Sequence, residues 1–431
     1  MKFENIKKID LRTHRFTLSP INVTYANTLR RLILTGVGTV AFRSDMTSTG
    51  STTDVIVKRN DTPMTNEMLA DRIGLIPIHI TEPLTWKDDK YIFNLKVGGD
   101  KDKTTYVTAS DFKIFEVTTQ NQENQEIAEP IAIPTERFFP PNPITGSTCL
   151  IATLQPGFGP NQQFIEITAK ATKGNGREHA RFSPVSQCSY EYTLDTDPVR
   201  IEEMFENWLT VAKKSGGIEK GSERHNELRR EFNTMQIKHC FKVNEKGEPY
   251  SFDFTIESVG VLPVEYIVEK ACEVGENMCS RYVNINQMDI TSKKKYNIPD
   301  ELSVTSSDSR IIGYDFLFRG HDHTLGNLLQ TWLTEHHIEG NANPKITYAG
   351  YSVPHPLRDE MVLRIGVEDG EMMTALQAVA EASKGCVDMF QTMRAEWLGI
   401  NNPVKNVRVS AQVPVQVPKQ STKTIRRRLN N

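Results

Sequence analysis

The sequence lacks the features of a secreted or membrane-embedded protein. Its first residues, Met1 to Asn5, do not form the apolar core of a signal peptide, and no apolar run approaches the length of a membrane span. We therefore expect the protein to stay on the cytosolic side of any membrane and to make no membrane contacts.

Cysteine is scarce and scattered. The 431 residues include six cysteines, and no two of them form a Cys-x-x-Cys pair. Zinc sites need ligands at short spacings, so this distribution argues against a metal ribbon. Six dispersed thiols in so long a chain are expected to be reduced and half buried. The sequence predicts no metal and no other cofactor.

Catalytic constellations are missing as well. His179, His321, His323 and His355 have no carboxylate or nucleophile at catalytic spacing, and there is no Ser-His-Asp order, no pair of acids and no metal-binding Asp cluster. The glycines and cations of residues 173–177 are not followed by a helical pattern, which excludes a phosphate-binding loop. The sequence predicts a chain with no catalytic residues of its own.

A strong overall charge is also absent, but the charge is unevenly distributed. The formal net charge is −3, and residues 401–431 carry seven basic and no acidic residues, so the remaining body is at −10. A body this acidic is a poor binder of phosphate backbones. The basic tail either contacts nucleic acid or an acidic subunit, or is a solvated end of the chain.

One pattern occurs twice, 300 positions apart. Phe16-Thr17-Leu18, a turn and the helical pattern of residues 26–33 are matched without a gap by Phe316-Leu317-Phe318, a turn and residues 326–333. Each copy predicts a strand followed by an amphipathic helix, and Asn27 and Asn327 superpose. The apolar stripes are Leu29, Leu32 and Ile33 in the first copy and Leu325, Leu328, Leu329, Trp332 and Leu333 in the second.

The second half of each unit repeats too, as an alternating strand (252–256 and 361–365) followed by a long helical pattern. Any α+β domain can show strands before amphipathic helices, so the ungapped match of the first halves is the stronger observation. Two equivalent units predict an α+β pseudo-dimer made covalent. The expected boundaries are 1–45 and 240–290 for a discontinuous first unit, 46–239 for a large, mostly β insertion domain, 291–310 for a linker, 311–400 for the second unit and 401–431 for the basic tail.

The first unit resembles the α-type subunits of multisubunit RNA polymerases, which are the bacterial α amino-terminal domain, the third-largest eukaryotic subunit and its archaeal equivalent. Asn22–Ile33 with residues 37–41 resembles their opening segment. Asn66–Ile78 is similar to their helix ending in a Gly-Leu-Ile-Pro turn, Ala169–Val185 to their basic loop, and Phe252–Tyr282 to their last strand and helix.

The second unit resembles the smaller partner of these proteins, the eleventh eukaryotic subunit or its archaeal equivalent, through Asp322–Leu329 and Tyr348–Leu357. The resemblance spans roughly residues 10–400. The third-largest eukaryotic subunit usually has a zinc-binding cysteine cluster, whereas residues 82–100 contain no cysteine, so that metal is not carried over. The two subunits are normally separate chains, and their fusion resembles the polymerases of large DNA viruses.

The resemblance implies a non-catalytic assembly-platform subunit of a DNA-directed RNA polymerase, on which the largest and second-largest subunits assemble. Small polymerase subunits are further expected partners, and DNA and RNA are reached only through the complex. A viral protein is expected in host cytoplasm and virion, and a cellular one in the nucleus. The alternative is a free nucleic-acid-binding regulator that uses the basic tail.

The resemblance also implies which residues form subunit interfaces. Arg30, Arg31 and the loop of residues 170–184 are expected to face the second-largest subunit, although a pair of arginines on a helix can also be simply solvated. The complete set is Asn27, Leu29, Arg30, Arg31, Lys170, Lys173, Arg177, Glu178, His179, Arg181, His323, Thr324, Leu325, Asn327, Leu328, Leu329, His355 and Pro356.

Overall fold

A computed structural model of the protein describes residues 1–45, 53–117, 130–157, 159–211, 218–287, 296–307 and 310–401. Most of the basic tail, part of the expected linker and part of the Pro-rich stretch of the insertion therefore lie outside the described residues.

The described chain contains seventeen strands and seven α-helices, and the strands from β5 to β12 follow one another without an α-helix between them. In chain order they are β1 (Lys2–Lys8), β2 (Thr13–Ser19), α1 (Val23–Thr35), β3 (Gly38–Ala41), β4 (Val55–Asn60), α2 (Asn66–Gly74), β5 (Tyr91–Gly98), β6 (Thr105–Thr108), β7 (Phe112–Glu116), β8 (Ile131–Ile133), β9 (Leu150–Leu154), β10 (Phe164–Ala169), β11 (Thr172–Asn175), β12 (Val185–Tyr192), α3 (Pro198–Val211), α4 (Glu223–Glu231), β13 (Phe252–Ser258), α5 (Val264–Ser280), β14 (Leu302–Ser306), β15 (Gly313–Arg319), α6 (His323–Leu333), β16 (Tyr348–Ser352), β17 (Glu360–Gly366) and α7 (Met372–Asn401).

The first unit is an antiparallel sheet of order β1-β2-β13-β12, against which α1 and α5 pack. Phe252, Phe254 and Ile256 are buried on one side of β13, as the period of two requires. The helix α1 is capped by Asn22, whose side chain accepts a hydrogen bond from the Thr24 N–H and satisfies one of the free donors of the first turn.

The second unit repeats this arrangement with the sheet order β14-β15-β17-β16 and the helices α6 and α7. The Asp322 carboxylate caps α6 by accepting from the Thr324 N–H, at the position that Asn22 has in α1. The register repeats as well, because Phe16 lies opposite Phe254 and Phe316 lies opposite Leu363. The α+β fold with two equivalent units is confirmed.

The two units share one hydrophobic core, formed where α1 and α5 meet α6 and α7. The Trp397 ring of α7 lies 5.0 Å from Phe3 and 5.3 Å from Phe16 of the first unit, measured between ring centroids. Between α5 and α7 the backbones approach closely at Gly275, where a Cβ atom would lie 2.7 Å from the Phe390 ring. The continuous core makes the chain an intramolecular pseudo-dimer.

The insertion has a core of its own and several small sheets. A five-stranded sheet of order β4-β10-β5-β7-β8 lies beside the pairs β3–β11 and β6–β9. Trp86 is buried in this core, stacks on Tyr91 with ring centroids 5.0 Å apart, and donates from its indole N–H to the Ala171 carbonyl at 2.8 Å. In residues 82–100, which contain no cysteine, aromatic packing organises the chain.

Two strands belong to the sheets of the two units, although the boundaries expected from the sequence placed them outside those units. β12 falls inside the expected insertion, yet it pairs with β13 in the sheet of the first unit. β14 falls inside the expected linker, yet it pairs with β15. Both are edge strands with only one or two fully buried side chains. Their hydrophobic pattern is therefore too weak to separate them from loops.

The segment between β12 and β13 forms a separate helical subdomain. The helices α3 and α4 enclose a small core of their own. Its buried members are Phe205, Leu209, Leu228 and Phe232.

Candidate subunit interface

The contact between α1 of the first unit and α6 of the second is called the seam here. Arg31 closes one side of it. Its Nε donates to the Thr324 hydroxyl at 2.8 Å, and its Nη2 lies 3.3 Å from the Asp322 carboxylate. Burial opposes ionisation of Asp322, but the hydrogen bonds from Thr324 and the nearby guanidiniums outweigh it and lower the pKa of the carboxyl. Arg31, expected to face another subunit, thus joins the two units of the same chain.

The middle of the seam is polar but uncharged. The Thr24 hydroxyl receives the Asn327 amide at 3.4 Å and pairs with the Thr331 hydroxyl at 3.1 Å. Asn27, which superposes on Asn327 in the repeat, instead accepts a hydrogen bond from Arg30 Nε at 2.9 Å. Equivalent asparagines therefore have different roles in the two units.

On its other side the seam is closed by Glu335, in the π-helical turn that continues α6. Its carboxylate accepts from the Asn22 amide at 2.6 Å and from the Tyr25 hydroxyl at 2.5 Å. Burial and this carboxylate together raise the pKa of Tyr25. Polar contacts at both ends of α1 thus fix the register of the two units.

A second set of contacts joins α5 and α7. The Arg394 guanidinium lies 3.2 Å from Glu269 and 3.3 Å from Glu273, and the Trp397 indole donates to the Glu265 carbonyl at 2.9 Å. None of these residues was predicted from the sequence. The one available signal was the acidic spacing of α5, since Glu265, Glu269, Glu273 and Glu276 recur every three or four residues.

The four leucines expected at an interface are all buried in the shared core. They are Leu29, Leu325, Leu328 and Leu329. The structure therefore uses them within the chain, between its own units.

Several side chains of the basic loop, residues 170–184, contact other residues of the same chain. Arg181 has only 2% of its side chain exposed, and its Nη1 donates to the Phe42 carbonyl at 2.9 Å and to the Ser44 hydroxyl at 2.6 Å. His179 Nδ1 accepts from the Arg181 backbone N–H at 3.1 Å. The hydrogen bonds from Arg43 lower the pKa of Glu178 and keep that carboxyl ionised.

The tip of this loop bridges the two units. Arg177 donates to the Gly320 carbonyl at 2.7 Å and pairs with the Asp359 carboxylate. At Gly176 a Cβ atom would lie 2.2 Å from the Leu34 carbonyl oxygen, so only glycine allows the loop to sit on the end of α1. The sequence placed these loop residues at an interface but did not indicate that the partner is the second unit.

The remaining expected interface residues are at the surface. Lys170 lies 3.1 Å from the exposed Asp89 carboxylate, and Lys173 is exposed beside it. His323 Nδ1 lies 3.3 Å from the Tyr351 hydroxyl, while His355 and Pro356 occupy an exposed turn. Together with Arg30, these side chains are the ones left available to another protein.

No metal centre or membrane span is found in the part of the chain that the structure covers. Within it, His, Cys, Asp and Glu side chains nowhere gather in threes that could hold an ion, and none of its helices is long and apolar enough to cross a bilayer. The metal-free chain stays a prediction. Elemental analysis of the purified protein is expected to find no stoichiometric zinc, and one zinc per chain would contradict it.

Comparisons with known proteins agree with this arrangement. Residues 15–279 match the family model described as the RNA polymerase Rpb3/Rpb11 dimerisation domain, and residues 314–396 match a second model of the same description. The chain is 26% identical to the DNA-directed RNA polymerases I and III subunit RPAC1 of Homo sapiens over 318 residues, which cover 65% of this chain and 83% of that one.

Two further relatives are similar over shorter stretches. The DNA-directed RNA polymerase subunit Rpo3 of Thermoplasma volcanium is 26% identical over 211 residues, covering 48% of this chain and 70% of the relative. The probable DNA-directed RNA polymerases I and III subunit RPAC2 of Caenorhabditis elegans is 30% identical over 110 residues, covering 26% of this chain and 68% of its own length.

Proposed function

This chain belongs to the family of RNA polymerase subunits that contain Rpb3/Rpb11 dimerisation domains, and we propose that it is the assembly platform of a multisubunit DNA-directed RNA polymerase. In this role it nucleates assembly of the largest and second-largest subunits and performs no chemistry itself. The observation that carries the proposal is the shared core of the two units, which completes within one chain the pairing that this family's domain is named for.

The platform surface is the part of the expected interface that the intramolecular seam does not use. Arg30, Lys173 and the exposed turn at His355 are available to partner chains, whereas Arg31 and Arg181 hold the platform itself together. We place the second-largest subunit on the Arg30 and Lys173 side. This division separates residues that stabilise the chain from residues that recruit a partner.

Affinity purification tests this function. A tagged chain, expressed at its native level, is expected to co-purify with both large subunits in equal amounts. Recovery of the folded chain without them would overturn the proposal.

The alternative function, a free regulator bound to nucleic acid, has less support because the body of the chain is acidic and its relatives are polymerase subunits. Recovery of the chain with DNA or RNA but without polymerase subunits would favour it. We propose a nuclear location for a cellular protein, and host cytoplasm and virion for a viral one, since the fusion of both units resembles the polymerases of large DNA viruses.

A further inference from the structure

The repeat gives β12 of the first unit and β16 of the second unit equivalent positions, each at one edge of its sheet. Tyr190 of β12 is reached from Phe16 by crossing two strand pairs of the first sheet. Tyr351 of β16 is reached from Phe316 by the same two steps in the second sheet. Because Phe16 and Phe316 are equivalent in the repeat, Tyr190 and Tyr351 are equivalent as well.

In the second unit this edge is closed by the unit's own helix. The Gln330 side chain of α6 accepts a hydrogen bond from the Tyr351 backbone N–H at 3.0 Å. An outward-facing donor of β16 is therefore satisfied within the chain and is less available to an added strand.

In the first unit the residue equivalent to Gln330 is Arg30, which has donors only and cannot close the edge in this way. Arg30 Nε donates to Asn27 Oδ1 at 2.9 Å, and among the described residues no carboxylate forms an ion pair with its guanidinium. An open groove of about 490 Å³ lies between Arg30 and residues 188–192 of β12.

The two edges of the first sheet also differ in how they are protected. β1 carries Lys2, Lys7 and Lys8 and an irregular register after Glu4, features that discourage pairing with another chain. β12 carries no lysine and no proline over its eight residues, and its register shift is confined to the Val185 end. Within the described structure, no strand pairs with its outer side.

We propose that the outer edge of β12 receives an extended segment of the second-largest polymerase subunit as an added strand, with an acidic side chain of that segment bound to Arg30. This inference rests on the proposed function. Backbone hydrogen bonds along β12 supply the affinity, and the unpaired guanidinium selects a carboxylate.

Amide hydrogen exchange of the full-length chain tests whether this edge is open. The Tyr190 amide is expected to exchange at least about tenfold faster than the Tyr351 amide, because the Tyr351 amide donates to the Gln330 side chain and no described side chain accepts from the Tyr190 amide. In the Arg30→Gln variant, which copies the second unit, the Tyr190 amide should become slower by a similar factor. Equal protection of the two amides in the unaltered chain would overturn the open edge.

Co-expression of the full-length chain with the second-largest subunit encoded by the same genome tests occupancy. A photoreactive p-benzoyl-phenylalanine at Ser189, which lines the groove, should crosslink to that subunit. Arg30→Gln should lower its recovery about tenfold or more, whereas Arg30→Lys, which keeps the charge, should lower it less. Melting temperatures confirm that both variants fold.

The outcomes separate this inference from the proposed function. Full recovery of the second-largest subunit with Arg30→Gln, and no crosslink from position 189, would overturn the added strand and leave the platform intact. Failure of the unaltered chain to recover that subunit would overturn both. A crosslink to the second-largest subunit together with loss of recovery in Arg30→Gln would support the added strand.

Discussion

At the scale of single residues, adjacent arginines of α1 are expected to behave differently. Arg31 contacts Thr324 and Asp322 across the seam, with about a third of its side chain exposed, whereas Arg30 contacts Asn27 of its own helix. Arg31→Ala should lower the free energy of unfolding by roughly 1 kcal/mol. Arg30→Ala should change it by less than about 0.5 kcal/mol. Urea denaturation of both variants checks this, and the reverse order would contradict the assignment of the seam.

A buried histidine adds a pH dependence. His14 is 4% exposed, and neither ring nitrogen has a hydrogen-bond partner. Burial lowers its pKa below the usual 6.5, although the Glu265 carboxylate partly opposes the shift. The unfolded chain therefore takes up this proton more readily, so the stability contributed by neutral His14 is complete above pH 6.5 and is lost as the pH falls below it.

The measurement is the free energy of unfolding between pH 7.5 and 5, a range set by that direction of shift. His14→Leu should flatten the decline, whereas His355→Leu alters an exposed turn and serves as the control. An unchanged slope in His14→Leu would exclude His14 as the source. Burial also lowers the pKa of His79 and His321, so part of the decline should persist.

The sequence predicted residues less well than patterns. The resemblance to α-type polymerase subunits grouped Arg30, Arg31 and the basic loop as one expected interface. It could not separate Arg31 from Arg30, since their difference depends on where Asp322, nearly 300 residues away, lies in the folded chain. For the same reason the sequence could not show that the Arg181 guanidinium is buried against the Phe42 carbonyl of its own chain.

At the scale of elements, α5 and α7 pack closely at Gly275, which leaves little room for a larger side chain. Gly275→Ala would place a methyl group against the Phe390 ring, 2.7 Å from its nearest carbon. We expect a net cost of about 1–2 kcal/mol, because the strain of overpacking exceeds the better helix propensity of alanine.

A double-mutant cycle isolates this contact. In a Phe390→Leu background the smaller side chain leaves space for the methyl group, so Gly275→Ala should be neutral or stabilising there. The measurement is chemical denaturation of all four proteins. The same cost in both backgrounds would show that the two helices do not meet at this point.

Elements with strong periodicity were predictable and weakly patterned ones were not. The ungapped repeat identified β2, α1, β15 and α6, because a period of 3.6 after a period of two is a distinctive signal. The edge strands β12 and β14 were assigned to the insertion and the linker. Edge strands bury little surface, so membership of a sheet leaves little trace in their sequence.

At the scale of the whole molecule, the two units should remain associated when the chain between them is cut. A protease site inserted between Lys293 and Lys294 is expected to yield two fragments that elute together in gel filtration, because one apolar core runs through both units. High salt should not separate them, since the core that the two units share is apolar.

The control introduces a buried charge. Leu329 is fully buried, and Leu329→Asp should cost several kcal/mol and separate the cleaved fragments. Native mass spectrometry measures the association. Independent elution of the unaltered fragments at micromolar concentration would contradict a shared core.

The unlike partners at the two ends of α1 determine which halves can meet. If two first units met through α1, Arg31 would face Asn22 and Thr24, which occupy the positions of Asp322 and Thr324 in the repeat. If two second units met, Asp322 would face Thr331 and lose its cation. Two identical units therefore pair poorly, whereas a first unit pairs equally well with the second unit of another molecule. Concentrated refolding is thus free to produce exchanged dimers with two intact seams, but not dimers joined through identical halves.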